Sequence, residues 1–205
     1  MSLTESYQKL NDGINFVNEL IEDANTNLNE RPETRAFIIE SAFLKMFIYW
    51  ESFLEETFIK YISSTTQITH PLPKKYLQPI DEFHAQKMLI GTQKYVDWAN
   101  AEVVKRLSNL YFENGAPFNS TLASIQETLA DLKIIRNNTA HVSSTTLSSY
   151  LKVIRKRLPN WTGDQMKVSD FLMTNDPNDA SITILQAYQK ELLVAGYIIK
   201  NCEGY

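Results

Sequence analysis

Apolar residues along this chain recur mostly at helical spacing. Leu10, Ile14, Val17, Leu20 and Ile21, with Leu28 behind them, form one face at intervals of three and four and predict a helix over about 4–29. Arg31-Pro32-Glu33 punctuates the chain, and Pro32 suits the first turn of a second helix running to about Ile62. The pattern predicts that helix to be apolar on most of its circumference through Phe47 and amphipathic beyond it, which suits the centre of a bundle. Ser63 to Pro79, with Ser-Ser-Thr-Thr and three prolines, reads as a loop. One or two helices follow over 82–110, with a break near Gly91, and Glu113-Asn114-Gly115-Ala116-Pro117 reads as a turn.

A helix capped at Asn119 or Ser120 then carries Leu122, Ile125, Leu129 and Leu132 on one face. Another helix is predicted over about 145–158. Pro159 to Asp179 reads as irregular, and a C-terminal helix spans about 181–201. No internal repeat or low-complexity segment is visible. The fold expected is all-α, a helical bundle in a single domain over 1–205.

Composition narrows the function. Hydrophobic residues make up 43% of the 205, enough for a sizeable core and too many for a disordered chain. The most apolar stretch, Ala36 to Trp50, is interrupted by Glu40 and Lys45 and is too short to span a bilayer. Residues 1–13 are polar and have no secretory pattern, and the single cysteine, Cys202, cannot make an internal disulfide. Both point to the cytoplasm. A net charge of −4 and a pI near 5.5 argue against broad nucleic-acid binding but leave room for a local site.

Residues 133–142, Lys-Ile-Ile-Arg-Asn-Asn-Thr-Ala-His-Val, are the richest in chemistry. At about 100° per residue Arg136 continues the stripe of Leu129 and Leu132, where a charge is costly unless paired or at an interface. His141 points roughly 140° away, and Asn137 shares its face. Lys152, Arg155, Lys156 and Arg157 follow as a basic run, read either as a solvated face or as a phosphate-tracking patch together with Lys133. Other chemistry has less support. There is no Gly-x-Ser-x-Gly elbow and no phosphate-binding glycine loop, and His70, His84 and His141 lack metal-ligand spacing. No metal or other cofactor is expected.

Ile135-Arg136-Asn137-Asn138-Thr139-Ala140-His141 resembles the signature of the HEPN superfamily, an Arg often followed by Asn and, four to six residues on, a His. Upstream, Trp50-Glu51-Ser52-Phe53-Leu54 resembles the Trp-Glu-x-Phe-Leu segment of RiboL-PSP-like and MAE_28990-like HEPN groups. The resemblance covers roughly 30–160. It implies a two-fold homodimer that brings two motifs face to face, and metal-independent cleavage of RNA, often in toxin–antitoxin, antiphage or stress systems. The implied catalytic residues are Arg136, His141 and Asn137, with Glu51 as an orienting partner. The implied partners are RNA, a second copy of the chain and a cognate antitoxin. Other members of the superfamily are non-catalytic modules that bind RNA or protein, which is the alternative. One toxin subgroup carries a Tyr two residues after the His, where an antitoxin modifies it; here that position is Ser143.

Overall fold

A computed structural model describes residues 2–64, 72–92, 94–141 and 143–202. Over these residues the chain is mostly helical: α1 (Leu3–Asn27), α2 (Pro32–Ser63), α3 (Glu82–Ile90), α4 (Ala101–Tyr111), α5 (Phe118–Ser124), α6 (Gln126–Ala140), α7 (Ser144–Arg157), α8 (Val168–Met173) and α9 (Ile184–Asn201). The all-α expectation holds at this level. Part of the predicted 63–79 loop, including His70, lies outside the described residues, as does Val142 of the motif segment.

Three local readings need correction. The stretch expected to be irregular, Pro159 to Asp179, contains α8 and β1 (Asn175–Asp176), and β1 pairs antiparallel with β2 (Asp179–Thr183), which takes the first residues expected of the C-terminal helix. The Asp176 carboxylate accepts from the Asn178 backbone N–H at 2.8 Å, so the Asn-Asp-Pro-Asn-Asp loop is itself a hairpin turn. The motif helix does not start at Asn119 or Ser120. It is two helices that part at Ile125 (φ −113°, ψ 21°). Thr121 and Ser124 hydroxyls donate to the carbonyls of Pro117 and Thr121, both at 2.8 Å, and compete with the helical ladder there.

The third correction concerns α2, which is amphipathic before Phe47 as well as over the expected 48–56, and is buried all round only over 57–62. Phe37 is 70% and Ile48 50% exposed, while Thr57 to Ile62 are buried all round. Thr57 enters the core because its hydroxyl donates to Phe53 O within the same helix at 2.6 Å, leaving no polar group unmet.

The chain divides into two compact units, each assembled from separated segments. One comprises Met1–Asn11, Tyr49–Gln126 and Leu192–Tyr205, and the other Asp12–Ile48 and Glu127–Glu191. In the first, Phe58 sits among aromatic rings, with centroids at 4.8 Å to Phe118, 5.2 Å to Phe112 and 5.6 Å to Trp98. Tyr61 is buried beside them and its hydroxyl donates to Ile199 O at 2.5 Å, satisfying the polar end of the ring. The Lys75 ammonium donates to Ile62 O and Ser64 O and so closes the C-terminal end of α2.

In the second unit, Leu132, Ile135, Tyr150, Ile154, Phe171 and Tyr188 are all fully buried. Tyr150 meets Phe171 edge-on at 5.8 Å. This unit carries α7, β1, β2 and nearly all of α6, and therefore the Arg136–His141 segment.

Candidate functional site

α6 buries Thr128, Leu129, Asp131, Leu132, Ile135 and Asn138, a stripe at helical spacing. Arg136 lies at its edge and is half-buried. Its Nη1 donates to the Asn137 side-chain carbonyl at 3.2 Å, and among the described residues no carboxylate pairs with it. His141 follows α6 and is exposed. Its backbone N–H donates to Asn137 O at 2.9 Å, so helical bonding runs through to His141 and the two side chains diverge by roughly 140°. The structure thus joins Arg136 to Asn137. Among the described residues no side-chain hydrogen bond links the His141 ring to either.

Ser143 caps α7 through a reciprocal pair with Thr146, and the Thr146 hydroxyl also donates to His141 O at 2.8 Å. His141 is therefore tied through its carbonyl to the start of α7.

The basic residues divide. Lys133 is half-buried, and Lys152 and Arg155 are exposed. Lys156 is engaged: its ammonium lies 2.7 Å from Asp131 and 2.9 Å from Glu127 of α6. Burial pushes the Lys156 ammonium down, but the bonds to the two carboxylates outweigh it and hold its pKa above the usual range. Burial raises the Asp131 carboxyl, with Lys156 offsetting part of the rise. Arg157 pairs with buried Asp176 and lies over the Tyr188 ring at 5.3 Å. Helix rise places Lys152 one turn from Lys156 toward the α6–α7 turn, the end that holds His141.

Glu51 is half-buried on α2 in the first unit, whereas Arg136 belongs to the second. His84 serves α3: its backbone N–H donates to the Asp81 cap at 2.7 Å and its Nδ1 accepts from Ile80 N–H at 3.2 Å. Among the described residues no three His, Cys, Asp or Glu side chains cluster as a metal site. Among the described residues no helix is long and apolar enough to cross a membrane.

Two residues escaped the sequence reading. Asn138 is buried, and its side-chain carbonyl has no hydrogen-bond partner among the described residues. Its position three after Ile135 marks it as inward, but Asn-Asn-Thr reads as a polar helix end. Asp131 lies between the apolar Leu129 and Leu132, and only its partner on α7 explains it.

A scan against protein-family models, a search of curated proteins and a search of solved structures each found no match to this chain.

Proposed function

We propose that the chain is a cytoplasmic, metal-independent endoribonuclease of HEPN type, in a toxin–antitoxin, antiphage or stress setting. The observation that carries the reading is Arg136: a half-buried guanidinium without a carboxylate partner among the described residues, oriented by Asn137, and five residues before an exposed His141. A permanently charged planar cation in that state suits a phosphate, which it contacts at two points.

RNA supplies its own nucleophile. One imidazole takes the proton of the ribose 2′-OH as that oxygen attacks phosphorus. Arg136 stabilises the phosphorane, and a second imidazole protonates the departing 5′-oxygen. The products are a 2′,3′-cyclic phosphate and a 5′-hydroxyl. A single chain offers one such His, so the reaction calls for a two-fold dimer that sets two motifs across one cleft. Lys133, Lys152 and Arg155 are the side chains placed to track RNA phosphates, while Lys156 must leave two carboxylates to do so.

The test is cleavage of a mixed RNA pool in EDTA, with end-group analysis. His141→Ala and Arg136→Ala should each lose activity by at least about a hundredfold, the usual scale for a general acid–base or charge-stabilising group. Arg136→Lys should also be impaired. A matching DNA strand should resist. Intact RNA with purified dimer, or alanine variants that cleave like the parent, would refute the nuclease reading.

One observation favours the alternative of a protein-binding helical module. Tyr76, Leu77, Ile80 and Phe83 expose between 53 and 89% of their surface within eight residues of the first unit.

A further inference from the structure

In the unit that holds Tyr49–Gln126, a cavity of about 260 Å³ is lined by α2, α3 and residues 95–98. Drug-sized ligands occupy about 300–1,000 Å³, so this space suits a smaller molecule. Ile59, Leu89 and Val96 supply an apolar wall, and Trp98 and Tyr95 add two aromatic rings. Trp98 is 8% exposed and packs on Phe58 with ring centroids 5.6 Å apart, so the core fixes its side of the cavity. Tyr95 is 70% exposed and has ring surface to spare for a ligand.

One charged side chain lines the cavity, Glu55 of α2. Part of its surface stays in solvent, so a ligand can reach it. Burial is nevertheless the largest influence on its carboxyl and raises its pKa. Glu56 adds like-charge repulsion in the same direction, and the Trp98 indole N–H, directed at the carboxylate, offsets only part of the rise. Among the described residues no cation pairs with Glu55. Lys9 is taken by Glu56 at 2.9 Å, and the Lys87 ammonium lies over the Phe83 ring at 4.3 Å. Lys94 and Asp97 bracket Tyr95 and Val96 and bring one charge of each sign.

The chemistry selects a cation. A carboxylate without a cationic partner gains a charge-assisted hydrogen bond from an ammonium. The faces of Trp and Tyr rings attract the same charge. The Gln86 amide oxygen, also on the wall, can accept from a second ammonium N–H. An anion would meet a carboxylate there and no lining cation. Ile59, Leu89 and Val96 leave the rest of the space to an apolar group.

We propose that this cavity binds a small organic ammonium with an apolar body, its charged end on Glu55 and its body against Trp98 and Tyr95. It is a different site from the Arg136–His141 segment, and its test reads binding rather than RNA cleavage.

The experiment is calorimetric titration of the full chain at pH 7 and constant ionic strength with benzylamine, benzyl alcohol and benzoate. The three share a phenyl ring and differ in charge, so their order reads the charge selection. Benzylamine should bind saturably below about 1 mM and at least about tenfold more tightly than benzyl alcohol, with benzoate weakest. Glu55→Gln should weaken benzylamine at least about tenfold and bring it level with benzyl alcohol. Thermal unfolding should be no lower in that variant, because burial opposes the charge it removes. Tyr95→Ala should weaken benzylamine about two- to fivefold, the scale of an exposed cation–π contact. No saturable binding of benzylamine at about 10 mM, benzyl alcohol or benzoate binding as tightly, or Glu55→Gln binding benzylamine like the parent would overturn the proposal.

Discussion

The Lys156 ammonium of α7 lies 2.7 Å from the Asp131 carboxylate on the buried face of α6, and this bond is what makes the carboxylate tolerable there. Burial raises the Asp131 pKa, so its ionised form opposes folding. Removing the ammonium leaves that opposition uncompensated. A sealed pair broken on one side costs about 3–5 kcal/mol; Lys156 is 42% exposed, so Lys156→Ala should cost about 1–2 kcal/mol. The sign with pH follows. A carboxyl whose folded pKa is raised destabilises above that pKa and ceases to as pH falls through it. The penalty of Lys156→Ala should therefore be largest near neutrality and shrink on the acid side of the ordinary carboxylate range. Urea unfolding of parent and variant at about pH 7 and pH 4 checks this. An equal penalty at both would remove the electrostatic explanation.

Gly115 has φ +69°, and a Cβ there would meet Asn109 Oδ1, the Asn119 Cβ at 2.7 Å and Ser108 Oγ at 2.9 Å. Both the backbone and the space demand glycine. Gly115→Ala should destabilise by about 2–4 kcal/mol, combining the left-handed penalty with overpacking. Thermal unfolding reads it directly, and a change under about 0.5 kcal/mol would show that the α4–α5 turn has room to shift.

Cys202 ends the described chain at 4% exposure, and burial pushes its thiol up to about 11. The thiolate is the reactive form, so at pH 8 very little is present in the folded protein. Labelling by a disulfide reagent should be at least about a hundredfold slower than in denaturant, where an ordinary thiol titrates near 8.5. Equal rates would mean that the C-terminal turn opens freely.

Features set by neighbours in the chain were legible, and those set by distant partners were not. Arg136 on the apolar stripe follows from its spacing to Leu129 and Leu132, though that spacing places it mid-stripe and the structure leaves it half-buried at the edge. The break after Ile90 follows from Gly91 at φ +55°. Lys156 read as one of a basic run because its carboxylates sit on another helix. The α2 pattern misled in both directions. The pattern predicts an amphipathic helix beyond Phe47, yet Thr57 and Lys60 are buried, while Phe37, in the part predicted apolar on most of its circumference, is exposed, since which face meets the rest of the fold is a tertiary choice. β2, Asp-Ala-Ser-Ile-Thr, has no clean alternation, and its turn residues dominated the reading.

The divergence of Arg136 and His141 gives the nuclease proposal its sharpest prediction. Ideal helix geometry separates the two positions by roughly 140°, and among the described residues no side-chain hydrogen bond joins the His141 ring to Arg136. A two-fold axis brings two copies of each residue to a shared cleft. A dimer with one His141→Ala chain then keeps both guanidiniums but only one imidazole. Refolding parent and His141→Ala chains together in equal amounts gives about half such mixed dimers and about a quarter parent dimers. With both imidazoles required, the mixture should cleave RNA at about a quarter of the rate of the same total concentration of parent, rather than about half. Sedimentation of the parent chain at tens of micromolar should show the dimer, because an interface of about 8 kcal/mol forms at that concentration. A strict monomer there, or a mixture that keeps half or more of the parent's rate, would exclude a composite site.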